Sequence, residues 1–133
     1  MTAQGPFPQP VDAYKAIIDQ LVDETSQGVS ENLVAEEGIF SKSPIQGAAN
    51  AFVQSLSGDH RAILAKMLHA ERTSAIHDVL SVLSWWTQSG GVGLTYWGEP
   101  MPTDLSGTGM HGDYVGRRFD WDWPNDDPTE KGG

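Results

Sequence analysis

Cysteine is absent from the 133-residue chain. That excludes a disulfide framework, thiolate zinc sites and a Cys nucleophile. Basic residues are few: eight Lys and Arg stand against 18 Asp and Glu, a net charge of −10. A protein that tracks phosphates needs clustered cations to release counterions. The densest cationic feature here is the single pair Arg117-Arg118. The sequence therefore predicts no nucleic-acid partner and, for the same reason, no docking to an anionic membrane surface. Long apolar runs are also missing, since none approaches the roughly 18 residues of a spanning helix. The opening stretch Met1 to Pro10 has neither a basic n-region nor an apolar h-region, so a soluble cytoplasmic protein without a signal peptide is expected. H-E-x-x-H, G-x-S-x-G and P-loop patterns are absent. Gly107-Thr108-Gly109 with Gly112 lacks dinucleotide-fingerprint spacing and reads as a turn. No catalytic residue, metal ligand or cofactor is expected.

What is present suggests one folded domain. Leu, Ile, Val and Phe number 28 of 133, just above the roughly 20% at which disorder becomes the default. Residues 1–9 read as a flexible lead-in, 10–124 as a single globular domain and 125–133 as a disordered acidic tail. A first helix is expected from Pro10 or Val11, with Val11, Tyr14, Ile17, Ile18, Leu21 and Val22 on one stripe and Gly28 interrupting it. A short helix over Ser30 to Glu37, ended by Gly38, follows. Ser43-Pro44 then opens another, with Ile45, Ala48, Ala49, Phe52, Val53 and Leu56 as its apolar side. The longest helix is expected from Asp59 to about Thr87, before Gly90-Gly91. Val92 to Thr103 reads as a small hairpin turning at Gly98-Glu99, and Gly109 to Arg117 as a last helix. The fold class is mainly α: a helical bundle with one long helix and a small C-terminal β-hairpin.

Two sets of residues stand out chemically. On a helical wheel Leu64, Ala65, Leu68, Ala75, Ile76, Val79, Leu80, Val82, Leu83 and Trp86 of the long helix share one sector, expected to be core. His69 and Arg72 lie inside that sector. A buried Arg stays charged and needs a carboxylate; Asp113 is the favoured partner, with Asp104 or an acid of the first helix as alternatives. His69, Arg72 and Asp113 form the candidate polar cluster. The second set is aromatic. Trp97, Trp121 and Trp123 form a candidate interaction surface, because Trp is favoured at interface centres. The competing reading is a local mini-core that staples the C-terminal segment. In an extended segment Trp121 and Trp123 face one side and Asp120 and Asp122 the other.

Glu71-Arg72, Ile76-His77-Asp78-Val79-Leu80, Gly93-Leu94, Gly98-Glu99-Pro100-Met101-Pro102, Asp113-Tyr114-Val115-Gly116-Arg117 and Trp123-Pro124 together resemble a group of small uncharacterised bacterial proteins. The resemblance spans residues 59–124 and implies architecture and bacterial origin but no activity. A small, acidic, Cys-free helical chain suits a non-enzymatic interaction or regulatory module, of the toxin-neutralising type among others, with a basic protein as partner. The alternative is a small enzyme or anionic-ligand-binding domain with a cleft around Arg72, His69 and Asp113.

Overall fold

The computed structural model describes residues 5–26 and 29–124; the expected tail at 125–133 lies outside them. The protein is mainly helical. The elements are α1 (Pro10–Ser26), α2 (Val29–Asn32) running into a π-helical turn (Leu33–Glu37), α3 (Gly47–Gln54), α4 (Gly58–Gln88), β1 (Leu94–Tyr96), β2 (Glu99–Met101) and α5 (Met110–Arg118). The chain falls into two compact units. One comprises Met1–Val22 with His77–Gly133, the other Asp23–Ile76.

Punctuation set most of these boundaries. α1 starts at Pro10, where a missing N–H costs nothing. The π-turn ends at Gly38, whose φ of 69° is the left-handed geometry a side chain resists. Pro44 opens a 3-10 turn that leads into α3, although Ser43 makes no side-chain cap. No Gly or Pro interrupts α4 after its first residue, and it runs unbroken for 31 residues. At ~1.5 Å per residue this is about 46 Å.

In the first unit, Ala13, Tyr14 and Ile18 of α1 are buried with Leu80 of α4 and Met110 and Tyr114 of α5. Ser84 is buried one turn after Leu80 because α5 begins against it. The Gly109 position preceding α5 offers no side-chain cap, and the Ser84 hydroxyl accepts the Met110 N–H at 2.8 Å instead. One of the four orphan donors of that helix end is thereby satisfied from another helix. The hairpin pairs antiparallel, Leu94 with Met101 and Tyr96 with Glu99. Its turn is Trp97-Gly98 rather than the expected Gly98-Glu99. Both turn residues have positive φ, 49° and 83°, as a two-residue type I′ turn demands. Phe7 donates its N–H to the Tyr96 hydroxyl at 2.9 Å and sets its ring edge-on to Tyr96.

Trp97 departs from what such a turn prefers. Asn or Gly fits the first position, and a bulky residue there costs roughly 1–2 kcal/mol. Trp97→Asn is expected to stabilise the protein by about 1 kcal/mol in chemical denaturation. A loss of stability would show that Trp97 contributes more by packing than its backbone costs.

In the second unit Val34 and Val53 are the buried aliphatics. The side chain of Asn50 secures the loop before α3. Its Oδ1 accepts the N–H groups of Phe40 and Ser41 at 2.7 and 3.0 Å, and its Nδ2 donates to the Ser41 carbonyl at 2.7 Å. Ile45 and Phe52, expected on the apolar side of α3, are exposed.

Candidate functional site

The polar centre of the first unit is Asp113. It is fully buried and three donors converge on its carboxylate. Tyr14 Oη donates to Oδ2 at 2.5 Å, and the N–H groups of Leu105 and Ser106 donate to Oδ2 and Oδ1 at 2.9 and 2.8 Å. The expected pairing of Arg72 with Asp113 is corrected here: Asp113 is engaged by a tyrosine and a loop, because the α1 stripe carries a phenol whose hydroxyl needs a buried acceptor. Burial raises the pKa of Tyr14, followed by its hydrogen bond to Asp113 and the charges of Asp113 and Asp104.

A pH effect follows from this shift. Unfolded Tyr ionises near 10, while in the folded chain Tyr14 keeps its proton well above that. The unfolded state therefore binds fewer protons above pH 10, and stability falls as pH rises. The slope from this group rises through pH 10 toward about 1.4 kcal/mol per pH unit, about 1.4 kcal/mol in total between pH 9 and 11, and Tyr14→Phe is expected to abolish that share. Denaturation midpoints between pH 9 and 11 in both proteins check it; equal slopes would contradict it.

A second polar knot holds the C-terminal segment. Arg117 donates to Asp19 through Nε at 2.7 Å and to the Trp121 carbonyl through Nη1 at 2.6 Å. Trp123 Nε1 donates to the same Asp19 at 3.0 Å, with the Arg117 guanidinium over its ring and Tyr14 against its edge. Trp121 and Trp123 meet each other edge to face. Of the three tryptophans expected at an interaction surface, these two are therefore turned into the chain's own packing. Trp97 is 61% exposed at the hairpin tip.

The largest departure from expectation lies on α4. Leu80 and Ser84 face inward. Leu80 is the one residue of the expected core sector in this unit that is buried; Val79, Val82, Leu83 and Trp86 are 58%, 59%, 44% and 47% exposed. Their i, i+3, i+4, i+7 spacing forms one apolar helix face in water, and Trp85 beside it is exposed as well. Trp86 is thus not core. The reason is that the capping of α5 and the approach of Gly109 draw the small Ser84 side inward. A Cβ on Gly109 would lie 3.0 Å from the Ser84 hydroxyl. Residues 79–98 contain no charged side chain and no His, although charge makes up 20% of the chain.

In the second unit Arg72 finds its carboxylate in Glu31 of α2. Nε lies 3.0 Å from Glu31 Oε1, and His69 Nδ1 lies 3.7 Å from Oε2. The expected cluster is therefore divided: His69 and Arg72 come together around Glu31, an acid the sequence reading did not weigh, while Asp113 belongs to the first unit. Beside this pair runs a groove of about 470 Å3 lined by Glu31, Phe40, Leu68, Glu71, Arg72, Ala75 and Ile76. Among the described residues no three His, Cys, Asp or Glu side chains gather as a metal site would require, and no helix is long and apolar enough to cross a membrane.

Comparison with known proteins places this architecture in one family. A model described as a family of unknown function (DUF6547) matches residues 8–125, and the chain belongs to that family. No curated protein and no solved structure matches it.

Proposed function

We propose that this chain is a non-enzymatic protein-interaction module that works as a self-associating helix: the apolar face of α4 docks on the same face of a second copy. The observation that carries this is the exposed stripe Val79, Val82, Leu83 and Trp86. With Trp85 it leaves on the order of 500 Å2 of apolar surface in water. That is the upper range of one patch on a lone soluble chain, and it fills the centre of a standard interface of about 800 Å2 per partner.

The chemistry of the face favours a second copy over other occupants. A basic protein, expected from the net charge, would need several acids to meet it; Asp78 alone borders the stripe, and residues 79–98 have none. An anionic bilayer would need cations, which are equally absent there. An uncharged helix stripe complements itself under two-fold symmetry, where residue i meets j and j meets i. Trp97, held at the hairpin tip in a costly backbone geometry, fits a presented anchor, since strain concentrates where function maintains it.

Two copies of a −10 chain repel each other over about a Debye length, ~8 Å at physiological salt. Association is therefore expected to strengthen with ionic strength, opposite to docking on a basic partner. Sedimentation equilibrium at micromolar concentration checks this: twice the 14.4 kDa chain mass is expected, with tighter association at 0.5 M than at 0.05 M salt. A monomer at every salt and concentration would overturn the reading, as would partition onto neutral lipid vesicles in place of self-association.

A further inference from the structure

We propose that the Arg72 groove of the second unit is a binding site for a monoanionic organic carboxylate with an apolar body. Arg72 cannot lose its charge, and its guanidinium offers five N–H donors in a planar fork. Glu31 takes the Nε edge at 3.0 Å. The Glu31 side chain is itself only 10% exposed, so it acts as a fixed stop that sets the plane of the guanidinium. Among the described residues nothing accepts from Nη1 or Nη2. Half of a built carboxylate site is therefore present: an oriented fork whose outer edge has no partner among the described residues.

The walls determine what fits that edge. Phe40, Leu68, Ala75 and Ile76 supply apolar surface along the groove, and Asn50 holds the Phe40 backbone in place. Two parallel N–H···O bonds suit the two oxygens of a carboxylate. Phosphate shares that geometry, but Glu31 and Glu71 both line the groove against one guanidinium. Two nearby negative charges penalise a dianion far more than a monoanion. The volume of about 470 Å3 is in the range of small-molecule sites and takes a six-carbon chain with room to spare.

Hexanoate is the probe, with hexylamine and hexyl phosphate as the other arms, titrated into the isotope-labelled full chain by NMR. Saturable shifts confined to residues 31, 40 and 68–76 are expected for hexanoate. The expected dissociation constant is on the order of 1 mM, as an eight-atom ligand of ordinary efficiency gives. Hexyl phosphate should bind at least tenfold more weakly, and hexylamine not at all. Arg72→Gln strands the buried Glu31 carboxylate and risks unfolding. Arg72→Lys keeps the charge but loses the fork, and is expected to weaken hexanoate about tenfold. The proposal fails if hexanoate gives no saturable shift at these residues, if hexylamine or hexyl phosphate matches it, or if Arg72→Lys binds unchanged. The lining residues belong to the second unit and the α4 stripe at 79–86 to the first. Hexanoate binding should therefore survive substitutions that abolish self-association, and either reading can fail without the other.

Discussion

Asp113→Ala is expected to destabilise the protein by about 3–5 kcal/mol, because it removes a charged acceptor that takes three hydrogen bonds. The carboxylate is fully buried and is the acceptor for three donors: the Tyr14 hydroxyl and the N–H groups of Leu105 and Ser106. Alanine leaves the Tyr14 hydroxyl without an acceptor in the buried interior, at a cost of about 1–3 kcal/mol, and frees the part-buried N–H groups of Leu105 and Ser106, which water can partly satisfy. Asp113→Asn separates charge from shape. Its amide presents one acceptor oxygen where two are needed, so an intermediate loss of about 2–3 kcal/mol is expected. Tyr14→Phe removes one donor and leaves the carboxylate with two, so its loss should be smaller than either. Urea denaturation of the three variants gives the order Ala, Asn, Phe from largest to smallest loss. An Asp113→Ala protein within 1 kcal/mol of wild type would show that the network does not hold α1, α5 and the 102–109 loop together.

The double substitution Val82→Glu with Leu83→Glu is expected to weaken self-association at least 100-fold while leaving the monomer folded. Both side chains are largely exposed, so neither charge enters the chain's own core. In the paired state the four acids of two copies would be desolvated against apolar surface, and each buried unpaired charge costs several kcal/mol. Far-UV circular dichroism should remain that of a mainly helical chain, because Glu is a good helix former in place of Val or Leu. Loss of helix content together with association would instead assign the stripe to the chain's own stability.

The elements themselves were legible in the sequence because Gly and Pro carry backbone information that does not depend on tertiary context. Pro10, Gly38 and Gly90-Gly91 mark ends that the structure keeps. The hairpin turn shifted by one residue because Trp97 accepts a positive φ that its side chain disfavours, and no propensity argument anticipates that. The destination of the α4 stripe was not legible. A helical wheel shows which residues share a side but not whether the same chain covers it. Here the polar side with Ser84 faces inward, because a hydroxyl was needed at the uncapped start of α5. The need of Arg72 for a carboxylate was legible; its identity was not, since any of 18 acids met the chemical requirement. Tyr14 offered one signal. A phenol within the apolar stripe of α1 requires a buried acceptor, and Asp113 was the acid thereby withdrawn from Arg72.

The chain's lack of cysteine allows its central claim to be tested by a single introduced thiol. Leu83→Cys places that thiol near the middle of the exposed stripe, and Asp122→Cys places one on an exposed residue outside α4. With a bis-maleimide of about 10 Å reach, the Leu83→Cys protein is expected to give a covalent dimer in high yield at micromolar concentration, and the Asp122→Cys protein little. Equal yields from the two positions, or none from Leu83→Cys, would contradict pairing through this face of α4.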